Sequence, residues 1–215
     1  MTRLLGTACT ALCLLVLAGC NTVKPYDYTN FRAHPPRSIL VLPPLNESTA
    51  VEGTYGYLST VTEPIAERGY YVFPVEVVDQ YLKQNGMPTA GEMHQVPLNK
   101  VRDIIGADAV LFVTLKQYGS KYVVLNSVTT VQLEARLVDT RTGIVLWQGT
   151  GMAQQNGSGS SNLLASLIAA AVTQAINSKT DRAHKVSRLA NANLFYPKDT
   201  GLPYGPYSPR FGKTE

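Results

Sequence analysis

The chain has 215 residues, of which 45% are hydrophobic and 16% charged, and a formal net charge of +4. That apolar fraction supports a packed core and excludes a disordered chain, and a small, scattered basic excess gives no nucleic-acid footprint. The length suits one domain with appendages, and no internal repeat is present.

Arg3 followed by an uncharged apolar run over residues 4–19 reads as a secretory signal, too short for the ~20 residues of a membrane span. Leu17-Ala18-Gly19-Cys20 resembles the bacterial lipobox. Small residues before the cut let a peptidase reach the backbone, and the thiol is the nucleophile for thioether formation with a diacylglycerol. Residues 1–19 are therefore expected to be removed, leaving Cys20 lipidated as residue one. Acyl chains contribute ~0.8 kcal/mol per buried methylene, so several chains hold firmly. Cys9 and Cys13 leave with the signal, so no thiol remains for a disulfide, redox chemistry or nucleophilic catalysis. Asn21, standing where inner-membrane lipoproteins of Gram-negative bacteria resemble one another in carrying Asp, is expected to act as a sorting cue for the outer membrane.

Residues 20–37 form the expected tether. Pro25, Pro35 and Pro36 disfavour helix, and the stretch is polar and aperiodic. Its aromatics, Tyr26, Tyr28 and Phe31, rest either at the lipid interface or on the domain.

A globular domain is expected over residues 38–192. The all-apolar run from Ser38 to Pro43 predicts a buried strand. Val51, Tyr55, Leu58, Val61 and Ile65 recur at helical spacing, with Pro64 near the end and Gly69 as terminator. Residues 70–75 predict a second strand and residues 75–86 a short helix ended by Asn85-Gly86. Residues 87–97 read as a loop. Leu98, Val101, Ile104 and Ile105 place one face of a further helix against the core, and a third strand opens after Asp108. Residues 121–139 alternate throughout, with Val123, Leu125, Thr129, Val131, Leu133, Ala135 and Leu137 on the dry face of one long strand. Residues 139–143 form a turn in which Gly143 suits positive φ. The return strand carries Trp147, a core anchor in preference to a binding aromatic.

Residues 155–162 predict a connector loop, with Ser160, Ser161 or Asn162 capping the helix after it. The loop lacks the lysine of a phosphate-binding loop. Leu164, Leu167, Ile168, Ala171, Val172, Ala175 and Ile176 give a long amphipathic C-terminal helix, and Lys179, Arg182, Lys185 and Arg188 load its later half with solvated cations. The fold class is thus α/β: a single domain with a mixed sheet of about five strands, helices covering it, a long antiparallel hairpin and a long C-terminal helix. Residues 193–215, rich in Pro, Gly and Tyr, form a tail that either wraps the domain, docks on a partner or is disordered. Its Tyr196, Tyr204 and Tyr207 are the candidate partner-binding residues.

His34, His94 and His184 lack a second ligand at metal spacing, and no hydrolase or metalloprotease motif occurs. Glu63 and Glu67, at i, i+4, belong on the exposed side of their helix. No catalytic residue, metal or cofactor is expected, and the chain is read as a non-enzyme. The ordered segments SILVLPPLNES, GADAVLFVTL and ARLVDTRTGIVLWQGTG, with the tail SRLANANLFYPKDTGLPYGPYSP, resemble the Gram-negative lipoprotein family that contains a neisserial lipoprotein vaccine antigen. The chain is more distantly similar to the periplasmic part of the curli secretion channel lipoprotein and to the lipoprotein activator of penicillin-binding proteins. Asp139, Thr142, Gly143, Leu146 and Trp147 make the D-x-x-T-G-x-x-L-W hairpin of these relatives, a structural motif.

The resemblance implies a lipid-anchored protein of the outer membrane, expected to face the periplasm, that binds envelope proteins, related lipoproteins or further copies of itself, without nucleic acid. The alternatives are an accessory subunit of a secretion or transport channel and a small-molecule binding module. Mass spectrometry of the protein from its native host should give residues 20–215 plus acyl chains; a mass matching residues 1–215 would overturn the compartment.

Overall fold

The computed structural model describes residues 25–123, 126–156 and 173–213. Its single mixed sheet contains six strands: β1 (Ser38–Val41), β2 (Leu45–Asn46), β3 (Tyr71–Val72), β4 (Ala109–Val123), β5 (Asn126–Asp139) and β6 (Val145–Asn156). The main order is β3-β1-β4-β5-β6, with β2 also beside β4. Strands β1, β2 and β3 make parallel pairings, whereas β4–β5 and β5–β6 are antiparallel. The expected α/β class with a long antiparallel hairpin holds.

The two halves of the sheet differ in what covers them. In β1, Ile39 and Val41 enter one core layer and Leu40 enters the other, so the whole strand must be apolar. The first layer is capped by α2 (Gly53–Glu67), which inserts Tyr57, Leu58, Val61 and Ile65. The second is built from Val78 and Leu82 of α3 (Val75–Gln84), together with Met93 and Val101. The hairpin is one-sided. Val131, Leu133, Ala135 and Leu137 are buried in the first layer, while Glu134 and Arg136 lie exposed on the other side.

The final helix α6 (Thr173–Phe195) covers the hairpin through Ala183, Val186, Ala190 and Leu194. It approaches β6 so closely that a Cβ added at Gly151 would lie 2.6 Å from the Ala190 carbonyl oxygen. A buried polar clasp ties it to α2. The Tyr57 hydroxyl donates to Asn191 Oδ1 at 2.7 Å, and Asn191 Nδ2 donates to the Thr60 carbonyl at 3.0 Å. Arg188 reaches Glu63 at 2.8 Å, an exposed pair of little energetic weight. The predicted stripe from Leu164 to Val172 and the caps at Ser160, Ser161 and Asn162 lie outside the described residues, as do the side chains of Ala175 and Ile176.

The turn at Asp139 is built as its composition implies. Asp139 Oδ1 accepts from Arg141 N, Thr142 N and Thr142 Oγ1 at 2.7–2.9 Å, and Gly143 has φ 71°.

Several expectations are corrected. The single strand over residues 121–139 is two strands, because Val123 pairs with Asn126 and the ladder folds back there. The strand expected over residues 70–75 shrinks to β3, since Pro74 opens α3. The loop over residues 87–97 holds a short helix α4 (Ala90–Met93), closed by a capping box between Thr89 and Glu92. The helix α5 (Leu98–Lys100) continues as a π-helical turn over Val101–Ile105, which swings Ile104 out to 60% exposure. Val51 and Tyr55, assigned to the buried stripe of α2, are exposed.

The tether is corrected most. Its described part contains helix α1 (Thr29–Ala33), and Phe31 is buried in the main core. Residues 193–195 finish α6, with Leu194 and Phe195 inside the core.

Replacing Asn191 with alanine should leave the Tyr57 hydroxyl buried without its acceptor and lower stability by about 1–3 kcal/mol. Urea unfolding should show the midpoint falling with an unchanged slope. A loss below ~0.5 kcal/mol would show that the clasp is not a stabilising contact.

Candidate functional site

The first described segment and the C-terminal tail dock on each other and on the domain. The Tyr26 backbone N–H donates to the Asp199 carbonyl at 2.8 Å, and the Tyr28 hydroxyl donates to the Gly201 carbonyl at 2.6 Å. Further along the tail, Trp147 Nε1 donates to the Thr200 carbonyl at 2.9 Å, and the Tyr70 hydroxyl donates to the Pro203 carbonyl at 2.7 Å. Gly205 N–H bonds back to the Arg68 carbonyl and Tyr207 N–H to the Gly69 carbonyl. The tail therefore wraps its own domain. Prolines leave it extended, and its free carbonyls serve as acceptors for hydroxyl and indole donors of the core.

Where these ends meet there is a cavity of about 450 Å³. Its lining includes Tyr28, Arg32, Arg68, Lys198, Tyr204 and Arg210, and none of the described residues lining it is a carboxylate, histidine, serine or cysteine. Arg68, at the C-terminal end of α2, is only 7% exposed. Its guanidinium carbon lies 4.4 Å from the Tyr204 ring centre and 5.2 Å from that of Tyr196. Arg68 Nε has no hydrogen-bond partner among the described residues. Arg210 Nη1 donates to the Tyr204 hydroxyl at 2.7 Å, steadying the ring that stacks on Arg68.

A larger cavity of about 590 Å³ lies beside it, lined by Glu134, Arg136, Gln148 and Asn193 among others. Its charges are mixed, and among the described residues no unsatisfied buried group points to a ligand there. The smaller, uniformly cationic cavity is the better candidate site.

The three tyrosines singled out in the tail separate into two roles. Tyr196 and Tyr204 flank Arg68, and the Tyr196 hydroxyl donates to Glu67. Tyr207 stands apart, 67% exposed. Cys20 and Asn21 lie outside the described residues. Trp147 is the core anchor expected of it, fully buried and stacked on Phe195 with ring centres 5.7 Å apart. Arg68 was missed: an arginine before a helix-ending glycine reads as a solvated dipole partner, and nothing local marks it as buried. His94 contacts the Pro43 carbonyl through Nε2 at 2.9 Å, and burial holds its pKa below the usual value. Among the described residues no group of three or more His, Cys, Asp or Glu side chains could hold a metal ion.

Residues 26–207 match the model of the GNA1162-like lipoproteins. The chain belongs to this family. It is 46% identical over 197 residues to the Neisseria meningitidis serogroup B lipoprotein NMB1124/NMB1162, covering 90% of this chain and 92% of that one. The crystal structure of lipoprotein GNA1162 from Neisseria meningitidis is 49% identical, with a TM-score of 0.55, covering 66% of this chain and 99% of that one. The LpoB C-terminal domain from Salmonella enterica is a weaker structural neighbour at 18% identity and a TM-score of 0.41, covering 63% of this chain and 87% of that one. The matched span begins at the docked Tyr26 and ends at the docked Tyr207, so the family's pattern includes both docked segments.

Burial, with a smaller contribution from neighbouring Tyr26, pushes the Tyr28 hydroxyl up to about 12. Burial and the bond to Glu67 raise Tyr196 likewise to about 12. Unfolded tyrosines release their protons near the ordinary value of 10.0, so the folded chain binds more protons above that pH. The stability these groups contribute is complete below pH 10.0 and is lost as pH rises through about 12. Tyrosinate absorbance should show these two phenols ionising late, together with loss of the fold. A titration complete near pH 10.0 with the fold intact would contradict the docking of the two ends.

Proposed function

We propose that this protein is an outer-membrane lipoprotein, anchored through acylated Cys20 and sorted by Asn21, that acts in the periplasm by binding envelope partners and not by catalysis. Family membership supports the lipoprotein character, and no helix among the described residues is long and apolar enough to cross a membrane. The observation that carries the binding role is the docked tail. It presents Tyr207 and Phe211, 67% and 44% exposed, and Phe211 lines the same cavity as Tyr28 and Arg32 of the docked N-terminal segment. Amphipathic aromatic rings held by a fixed backbone supply contact area at small entropic cost, which is what a protein-docking surface needs. The nearby cavity offers cations and aromatic faces without a nucleophile–base pair, which favours binding over bond cleavage.

A photo-crosslinking residue placed at Tyr207 of the intact lipoprotein in its native envelope should capture a discrete envelope protein or a second copy. The same group at Ile104, exposed on the other layer, should not. Equal capture at both positions, or none at Tyr207, would remove the tail from the binding role.

A further inference from the structure

We infer that the cavity between the two chain ends is a binding site for a phosphate-bearing anion, with Arg68 as its principal cation. Two independent observations meet there. The first is composition: Arg32, Arg68, Lys198 and Lys213 line the cavity, and none of the described residues lining it is a carboxylate. The second is the state of Arg68, 93% removed from solvent by its 7% exposure, lining the cavity with Nε unsatisfied. Among the described residues no carboxylate pairs with it. Nearby tyrosine faces attract the guanidinium but accept no hydrogen bond from Nε.

Proteins rarely bury a guanidinium without a counter-charge, because desolvation is then uncompensated. The planar fork of arginine matches phosphate oxygens bidentately, and a cluster of cations exceeds the single charge of a carboxylate. The remaining wall, Tyr28, Phe31, Leu202 and Phe211, is aromatic or aliphatic. The ligand is therefore a phosphate joined to a less polar group.

The anchor indicates the source. Five residues separate Cys20 from Tyr26, so even fully extended chain lets the docked Tyr26 sit no more than roughly 20 Å from the lipidated residue. Tyr26 is bonded to Asp199, next to the cavity residue Lys198. A phospholipid headgroup is within such a reach. This choice of source rests on the anchoring at Cys20, whereas the phosphate site itself does not.

The test uses the full lipoprotein purified in a non-ionic detergent. Isothermal titration with dibutyryl phosphatidylglycerol and, separately, with inorganic phosphate distinguishes headgroup from free phosphate. Saturable binding of the short-chain lipid, weakened at least tenfold by Arg68→Met and several-fold by Lys198→Gln, is expected. Binding of inorganic phosphate alone, with the same dependence on Arg68, supports the site and assigns a free phosphate as its ligand. Should Arg68→Met fail to fold, Arg68→Lys keeps the charge without the fork and should still weaken binding several-fold. No binding of either probe, or binding indifferent to the folded Arg68 variants, overturns the proposal. An unlipidated mature mass with intact phosphate binding removes the headgroup assignment alone.

Discussion

Trp147 is the point through which the last helix and the tail are held to the sheet. Its ring is fully buried against Phe195, the last residue of α6, and its indole N–H is spent on the Thr200 carbonyl of the tail. One side chain thus fixes where the helix ends and where the tail begins to wrap. Burying such a ring stabilises by several kcal/mol, but only if its N–H finds an acceptor. The tail carbonyl supplies that acceptor, so core packing and tail docking are one event. From Thr200 onward the same logic repeats, with Tyr28 and Tyr70 each donating to a carbonyl of the tail.

This explains which features were legible in the sequence. Buried strands announce themselves by unbroken apolar runs, and Ile39 to Leu42 did so because both faces of β1 are covered. The one-sided hairpin announced itself by alternation, and Asp139 to Gly143 by turn chemistry. The hairpin break after Val123 was invisible. Residues 123 and 125 share the parity of the buried positions that follow, and no Gly or Pro stands between the strands. Alternation along the chain does not register the reversal, which changes its phase: Val123 pairs with Asn126 and so shares the face of the even-numbered positions of β5. The π-helical turn at Val101–Ile105 was missed for a related reason: one extra residue per turn rotates Ile104 away from a face that ideal helical spacing assigns it.

The candidate site was less legible than the fold. Tyr196 and Tyr204 stood out as aromatics among prolines; Tyr204 lines the cavity and the Tyr196 ring lies against Arg68. Their partner Arg68 is distant in the chain, and the docking of the tail that brings them together depends on backbone carbonyls, which carry no residue-specific signal. A segment without helical or strand pattern was taken for an appendage, because local pattern measures what a segment can bond to itself. Residues 196–207 bond almost entirely to other elements.

The tail and the cationic cavity are also coupled energetically. Tyr204 and Tyr196 come from the tail side, and Arg68 comes from the end of α2, so the cavity has its walls only while the tail is docked. Two tyrosine faces at about 0.5–2 kcal/mol each do not offset the desolvation of a buried cation, which is several kcal/mol. Part of the docking free energy, from Leu202 and the carbonyl bonds, is therefore held against an unsatisfied Arg68. An anion that binds only the docked form would relieve that opposition and, by linkage, tighten the tail by as much as the docked tail tightens the anion. Tyr207 and Phe211 follow directly after the cavity wall, so the same equilibrium would set how firmly the exposed docking surface is presented.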